Sequence, residues 1–274
     1  HRMRMSSTNP GCLIIMIDQS ASMRESLHKS KYALSWGAAR FANHILGELL
    51  GYCAKGDEVF PRIMIGCYGY SGSNDVNWAI PKFNPDSDGL ISISDFADCE
   101  DEIEDEENEI IIPWIVEENA YGGTPMRAAF EKVADVAERF TKNHPDSHPP
   151  IIINITGGHP TDCAIEDLPD IVSRIMNIET SDGGSLVFNI HISLDSTPSI
   201  FFPKISDTLP DVYSRYLLNA SSTIPFSLEQ QLAMIGGIRN DIPILDNTKC
   251  LVYKADSPML MYAVRVIILA CNNG

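Results

Sequence analysis

The chain has 274 residues, 44% of them hydrophobic and 21% charged, and a formal net charge of −17. That acidity argues against nucleic acid and anionic membrane surfaces and favours a basic partner, a cation or plain solubility. No apolar run approaches the roughly 20 residues that span a bilayer, and the start shows no secretory pattern, so a cytoplasmic protein is expected. Seven cysteines without a Cys-x-x-Cys pair suit reduced, buried thiols in a cytosolic protein better than a zinc site or a disulfide framework.

Residues 1–9 read as a disordered or expression-derived tail, and 10–274 as a single domain with a core over about 12–195 and an extension over 196–274. Strand-like apolar runs alternate with amphipathic stretches, the habit of a mostly parallel sheet covered on both faces. A first strand is predicted at Cys12–Asp18. A helix follows from about Ser30 to Leu50, where Leu34, Ala38, Phe41, Ile45 and Leu49 recur at helical spacing, with Gly51 as its stop. A strand at Arg62–Tyr70 ends in a Gly/Ser turn, and Val76–Ile80 suits a short antiparallel edge strand.

Asp95–Glu109 holds ten carboxylates and no Lys or Arg. Such a run is a solvated face or a docking surface for a basic partner. Ile110–Val116 follows it. Thr124-Pro125 then looks like a helix opening, Thr as N-cap and Pro at the first helical position, with the helix running to about Lys142. A strand at Ile151–Thr156, a helix at Ile165–Ile178 and a strand at Ser185–Ser193 come next. Beyond Asp195 the pattern loosens into a helix near Ser227–Ile235, a strand at Cys250–Lys254 and an apolar segment, Met259–Cys271.

Asp18, Ser20 and Ser22 place a carboxylate and two hydroxyls at alternate positions where a buried strand leaves the core. Hard cations such as Mg²⁺ take oxygen ligands of this kind. The bland reading is a turn and helix N-cap cluster, which the same residue types favour. Asn84–Asp95 matches the oxygen spacing of a calcium-binding EF-hand loop. Its flanks disagree, since Pro81 precedes the loop and Pro85 lies inside it, so a solvated turn is the better reading. Enzyme motifs fare poorly. A phosphoaspartyl phosphatase needs a carboxylate where Ser20 stands, Gly69-Tyr70-Ser71-Gly72-Ser73 is not a nucleophile elbow, and no phosphate-binding glycine loop occurs. Trp36, Trp78 and Trp114 are expected in packing, with Trp114 also a candidate for a partner surface.

Asp18-Gln19-Ser20-Ala21-Ser22, Gly122-Gly123-Thr124-Pro125-Met126 and the strand-and-turn Ile153-Asn154-Ile155-Thr156-Gly157-Gly158, in that order, resemble the von Willebrand factor A domain family, over roughly residues 12–195. Asp182-Gly183 with Val187–Ile192 is similar to a cytoplasmic bacterial branch. The resemblance implies a Rossmann-like, doubly wound α/β fold with one antiparallel edge strand. It implies a metal-ion-dependent adhesion site in which Asp18, Ser20, Ser22 and Thr124 hold Mg²⁺ or Mn²⁺. A partner protein, by the same resemblance a Ser/Thr kinase or phosphatase or a stress or defence component, supplies a Glu or Asp to the open position, and no reaction is catalysed. This chain departs from the family at one place: Gly157 stands where the second aspartate belongs. Losing such an outer group costs about 10–100-fold in metal affinity. Asp162 or His159 in the same loop are candidate substitutes, although neutral His is a poor Mg²⁺ ligand. A metal-independent scaffold and, less favoured, a phosphoryl-transfer or hydrolytic enzyme using Asp18 stay open beside this.

Overall fold

The computed structural model describes residues 5–26, 32–98, 103–104, 110–111, 113–115, 120–193, 199–225, 228, 247–255 and 257–272. Most of the acidic run beyond Asp98, and the helix expected near Ser227–Ile235 apart from Leu228, lie outside the described residues.

One eight-stranded sheet organises the chain. In chain order its strands are β1 (Gly11–Asp18), β2 (Ile63–Ser71), β3 (Asp75–Trp78), β4 (Ile91–Ser92), β5 (Ile151–Thr156), β6 (Leu186–Ile192), β7 (Ile200–Phe201) and β8 (Leu251–Ala255). Their spatial order is β7-β8-β6-β5-β1-β2-β3, with β4 also paired to β2. The β1–β2, β1–β5, β5–β6 and β6–β8 pairs are parallel. The expected edge strand is present at β3, antiparallel to β2, and the short β4 and β7 add further antiparallel pairs.

β1 is buried along its whole length, which is why it reads as a continuous apolar run rather than an alternation. Its side chains still alternate between two cores. Leu13, Ile15 and Ile17 pack with α1 (Leu34–Cys53) and α5 (Ser257–Asn272) on one face. Cys12, Ile14 and Met16 pack with α2 (Met126–Asn143), α3 (Leu168–Met176) and α4 (Val212–Asn219) on the other. Burying each large aliphatic side chain contributes about 1.5–3 kcal/mol. The strand can therefore carry a desolvated carboxylate at its end, which costs several kcal/mol.

Element edges moved slightly from expectation. Gly51 does not stop α1; it lies inside the last turn, and its carbonyl accepts from Ala54 N. Among the described residues six cysteines are free, five of them buried, and no helix is long and apolar enough to cross a membrane.

Candidate functional site

The chain winds away from β1 in both directions, towards β2 and β3 on one side and β5 and β6 on the other. Such a reversal opens a crevice at the carboxyl ends of the strands, because the flanking connections pass to opposite faces. Asp18 ends β1 at this crevice and Thr156 ends β5. On the same face, Tyr70 of β2 is the register partner of Asp18, and His191 of β6 is that of Thr156. A row of polar side chains thus crosses four strands just below the loops.

Three loops above that row are joined by backbone hydrogen bonds. Gln19 N donates to Tyr70 O (2.9 Å), Tyr121 N to Gln19 O (2.8 Å) and Ala21 N to Gly122 O (3.0 Å), while Gly72 N reaches Tyr121 O (3.1 Å) and Gly123 N reaches Gly72 O (2.8 Å). Glycine is required at the crossing: Gly122 has φ +65°, and a Cβ there would sit 2.5 Å from Gly72 Cα. The Gly-Gly pair ahead of Thr124 therefore lets the threonine loop approach the β1 loop closely enough to share a site.

Within this frame Asp18, Ser20 and Thr124 are buried, whereas Ser22 is exposed. Ser20 Oγ and Ser22 Oγ are 3.0 Å apart. Gly158, in the turn after β5, stands between two of the hydroxyls, since a Cβ on it would lie 3.7 Å from Ser22 Oγ and 3.9 Å from Thr124 Oγ1. Asp18 reaches both sides of the crevice. Its Oδ1 accepts from Ser20 N (2.9 Å), and its Oδ2 accepts from Gly157 N (3.1 Å) and from Thr156 Oγ1 (3.3 Å). Burial pushes the Asp18 carboxyl up from its ordinary pKa, against the opposing pull of these hydrogen bonds. A nearby cation would reverse that balance.

The bland reading of this cluster holds only in part. The Ser20 amide on Asp18 Oδ1 is an Asx-type turn. Ser20, however, precedes the short 3₁₀ turn Ala21–Arg24 without capping it by its side chain. Thr124 is no cap either: α2 begins at Met126 with Pro125 before it and no side-chain cap from that residue. Asp162 does the capping, its two oxygens accepting from Arg127 N (3.1 Å) and Ala128 N (2.9 Å). Thr161 pairs with Thr124 through Thr124 N to Thr161 Oγ1 and Thr161 N to Thr124 O, both 2.9 Å. These contacts fix the Thr124 backbone and leave the orientation of its hydroxyl to the crevice.

The comparisons with known proteins stand beside this geometry. No family model matches the chain, and no curated protein matches it. Among solved structures it is similar to a von Willebrand factor type A protein from Catenulispora acidiphila (12% identity over 67% of this chain and 33% of that one, TM-score 0.38). It is also similar to the ArnB paralog VWA2 from Sulfolobus acidocaldarius (18% identity, 69% and 36% covered, TM-score 0.36). The PilB minor pilin from Streptococcus sanguinis shares 10% identity over 68% of this chain and 51% of its own, with TM-score 0.39. The chain spans about a third to a half of the length of these proteins.

Asp162 and His159, the substitutes considered for the aspartate that the resemblance implies at Gly157, are engaged elsewhere. Asp162 is held by the amides that open α2, and His159 stacks on Tyr213 with centroids 4.1 Å apart. Met23 fills the space at Gly157, where the resemblance implies an aspartate: a Cβ on Gly157 would lie 2.5 Å from the Met23 sulfur and 3.6 Å from Leu34 Cδ1. Met23 follows the serines by one residue and is fully buried, which its position in a polar loop gave no reason to expect. Carboxylate and hydroxyl oxygens suit a hard divalent cation and a thioether does not. Among the described residues no three His, Cys, Asp or Glu side chains cluster; the oxygens that could hold such a cation here are those of Asp18, Ser20, Ser22 and Thr124, with one carboxylate.

Two other candidates dissolve. Trp114 is buried against Phe96 at 5.5 Å, edge to face, and offers nothing to a partner. Two carboxylates of the EF-hand-like loop are used on the protein itself. Asp86 Oδ1 accepts from Asp88 N and Leu90 N (2.9 and 3.0 Å), and Asp88 Oδ2 accepts from Asn143 on α2 (2.9 Å).

Proposed function

We propose that this chain is a von Willebrand A-type protein-interaction domain that docks a carboxylate of a partner protein through a divalent cation and performs no chemical step. The observation that carries the proposal is the convergence of hydroxyls from two separate loops, Ser20 and Ser22 on one and Thr124 on the other, above a buried carboxylate at the switch point of the sheet. Ser20, Ser22 and Thr124 would supply neutral oxygens to Mg²⁺ or Mn²⁺, and Asp18 the charge behind them. The cation, when bound, supplies a point of positive charge that a Glu or Asp side chain can reach. The −17 charge of the chain then makes the cation the natural bridge to an acidic group, which would otherwise be repelled. A reducing, cytoplasmic setting and a signalling, stress or defence partner such as a Ser/Thr kinase or phosphatase belong to the same proposal.

A second reading has an observation of its own. Met23 occupies the space of the second carboxylate, as expected of a domain that kept the fold and docks without metal. Calorimetric titration with Mn²⁺ and Mg²⁺, with and without acetate, separates the two. Saturable binding that Thr124→Ala weakens supports the cation reading, and no heat from either metal supports the scaffold. Hydrolysis of a generic phosphoester that disappears in Asp18→Ala would replace both with an enzyme.

A further inference from the structure

The turn after β5 is held from outside the sequence motifs. Tyr213, the second residue of α4, donates its hydroxyl to Gly158 O at 2.6 Å. That carbonyl has a competing donor, because Thr156 Oγ1 lies 3.1 Å from Gly158 O and 3.3 Å from Asp18 Oδ2. A hydroxyl has one proton to donate, so Thr156 serves either the carbonyl or the carboxylate. Gly158 O has two lone pairs and could accept both hydroxyls. Because Tyr213 supplies it with a short bond, the one Thr156 proton can go to Asp18, where the bond is charge-assisted and stronger, without leaving the carbonyl unsatisfied.

Tyr213 is itself closely held. It is buried, stacked on His159 and set edge-on against His191 at 5.8 Å. The start of α4 is closed by a capping box in which Asp211 accepts from Ser214 N (2.7 Å) and Ser214 Oγ receives Asp211 N (3.3 Å). Asp211 Oδ2 also accepts from Tyr253 of β8 at 2.8 Å. A continuous set of contacts therefore runs from the last strand of the sheet through α4 to the turn beside the Ser22 and Thr124 hydroxyls.

We propose that Tyr213 is a positioning residue of the cation site, acting by reserving the Thr156 proton for Asp18. This rests on the cation reading above. It gives the region beyond residue 195 a role in the site and compensates part of the loss at Gly157, since it secures a donor for the single carboxylate that remains.

The test is Mn²⁺ titration, by calorimetry and by the spin resonance of free Mn²⁺, on the full chain and on Tyr213→Phe, Thr156→Val and their double variant. Removing an outer group that orients a ligand lowers metal affinity about 10-fold or more. Tyr213→Phe is expected to lose about 10-fold, Thr156→Val at least as much, and the double variant no more than Thr156→Val alone. Thr156→Ser, which keeps the hydroxyl, is expected to bind within about twofold of the parent by the same argument. Parental affinity in Tyr213→Phe, losses that multiply in the double variant, or a Thr156→Ser as weak as Thr156→Val would each overturn the inference while the cation reading stands. A parental chain that takes up no Mn²⁺ even with acetate present would remove both.

Discussion

Two loops of this protein carry oxygen-bearing residues at metal-like spacing, and they end differently. In Asn84–Asp95 two carboxylates turn inward onto their own backbone and onto α2, with Asp86 on two amides and Asp88 on Asn143. In Asp18–Ser22 the serine hydroxyls face each other, and Asp18 bridges to the turn of another strand. Spacing along the chain is similar evidence in both. Both loops use carboxylate oxygens on the protein, Asp18 accepting from Ser20 N, Gly157 N and Thr156 Oγ1. What differs is that a second loop brings another hydroxyl, that of Thr124, beside Asp18–Ser22, with Gly158 between it and Ser22. The first loop runs along a sheet edge as β4, while the second sits where the winding of the sheet reverses and neighbouring loops must converge.

The sharpest way to break this contrast is Asp18→Asn. It removes the only carboxylate of the proposed donor set and should lower Mn²⁺ affinity by about 100-fold, the upper end of what an orienting or ligating group contributes. The same variant turns one oxygen that accepts from Ser20 N or Gly157 N into an amide donor, which costs cation-free stability. That deficit should be smaller at neutral than at acid pH, because burial penalises the parent's charge. The sign follows from linkage: the folded pKa lies above the unfolded one, so the native state binds more protons between the two and the parent loses stability as pH rises through that window. Denaturant melts of parent and Asp18→Asn from acid to neutral pH should converge accordingly, and added Mn²⁺ should stabilise the parent only.

Gly157→Asp probes the other half of the site. Met23 leaves no room for the new side chain, so the single substitution should destabilise by about 1–3 kcal/mol through overpacking. Pairing it with Met23→Ala should recover part of that stability and raise Mn²⁺ affinity above the parent's. Greater stability in the single variant would show that the thioether is not the obstacle. The smallest effect belongs to the other loop. Asp86→Ala should cost about 1 kcal/mol from its lost backbone acceptor and leave Ca²⁺ and Mn²⁺ titrations as they are in the parent.

Much of the scaffold was legible in the residues. Ile151–Thr156 and the first strand are mostly apolar because a parallel central strand is buried on both faces, and α1 and α2 show their inner stripes plainly. The two-residue strands Ile91–Ser92 and Ile200–Phe201 left no pattern, since pairing so short is set by what lies alongside rather than by period. Thr124-Pro125 looked like a cap because those residues favour helix starts. The carboxylate that takes that role, Asp162, comes from a loop that only tertiary folding brings near.

Asp18, Ser20 and Ser22 were identifiable as candidates from residue type and order, because hard-cation chemistry demands oxygens and the end of a buried strand is where they would be used, and Thr124 through the resemblance of Gly122–Met126. The remaining decisions were tertiary. Whether Asp162 or His159 could replace the missing aspartate depended on what each meets in space, and both are engaged elsewhere. That Met23 fills the space at Gly157, and that Tyr213 reaches the site from a helix 195 residues after Asp18 in the chain, follows from close packing between segments distant in sequence. A linear pattern specifies which oxygens are available; the packed structure decides which of them are brought together from separate loops.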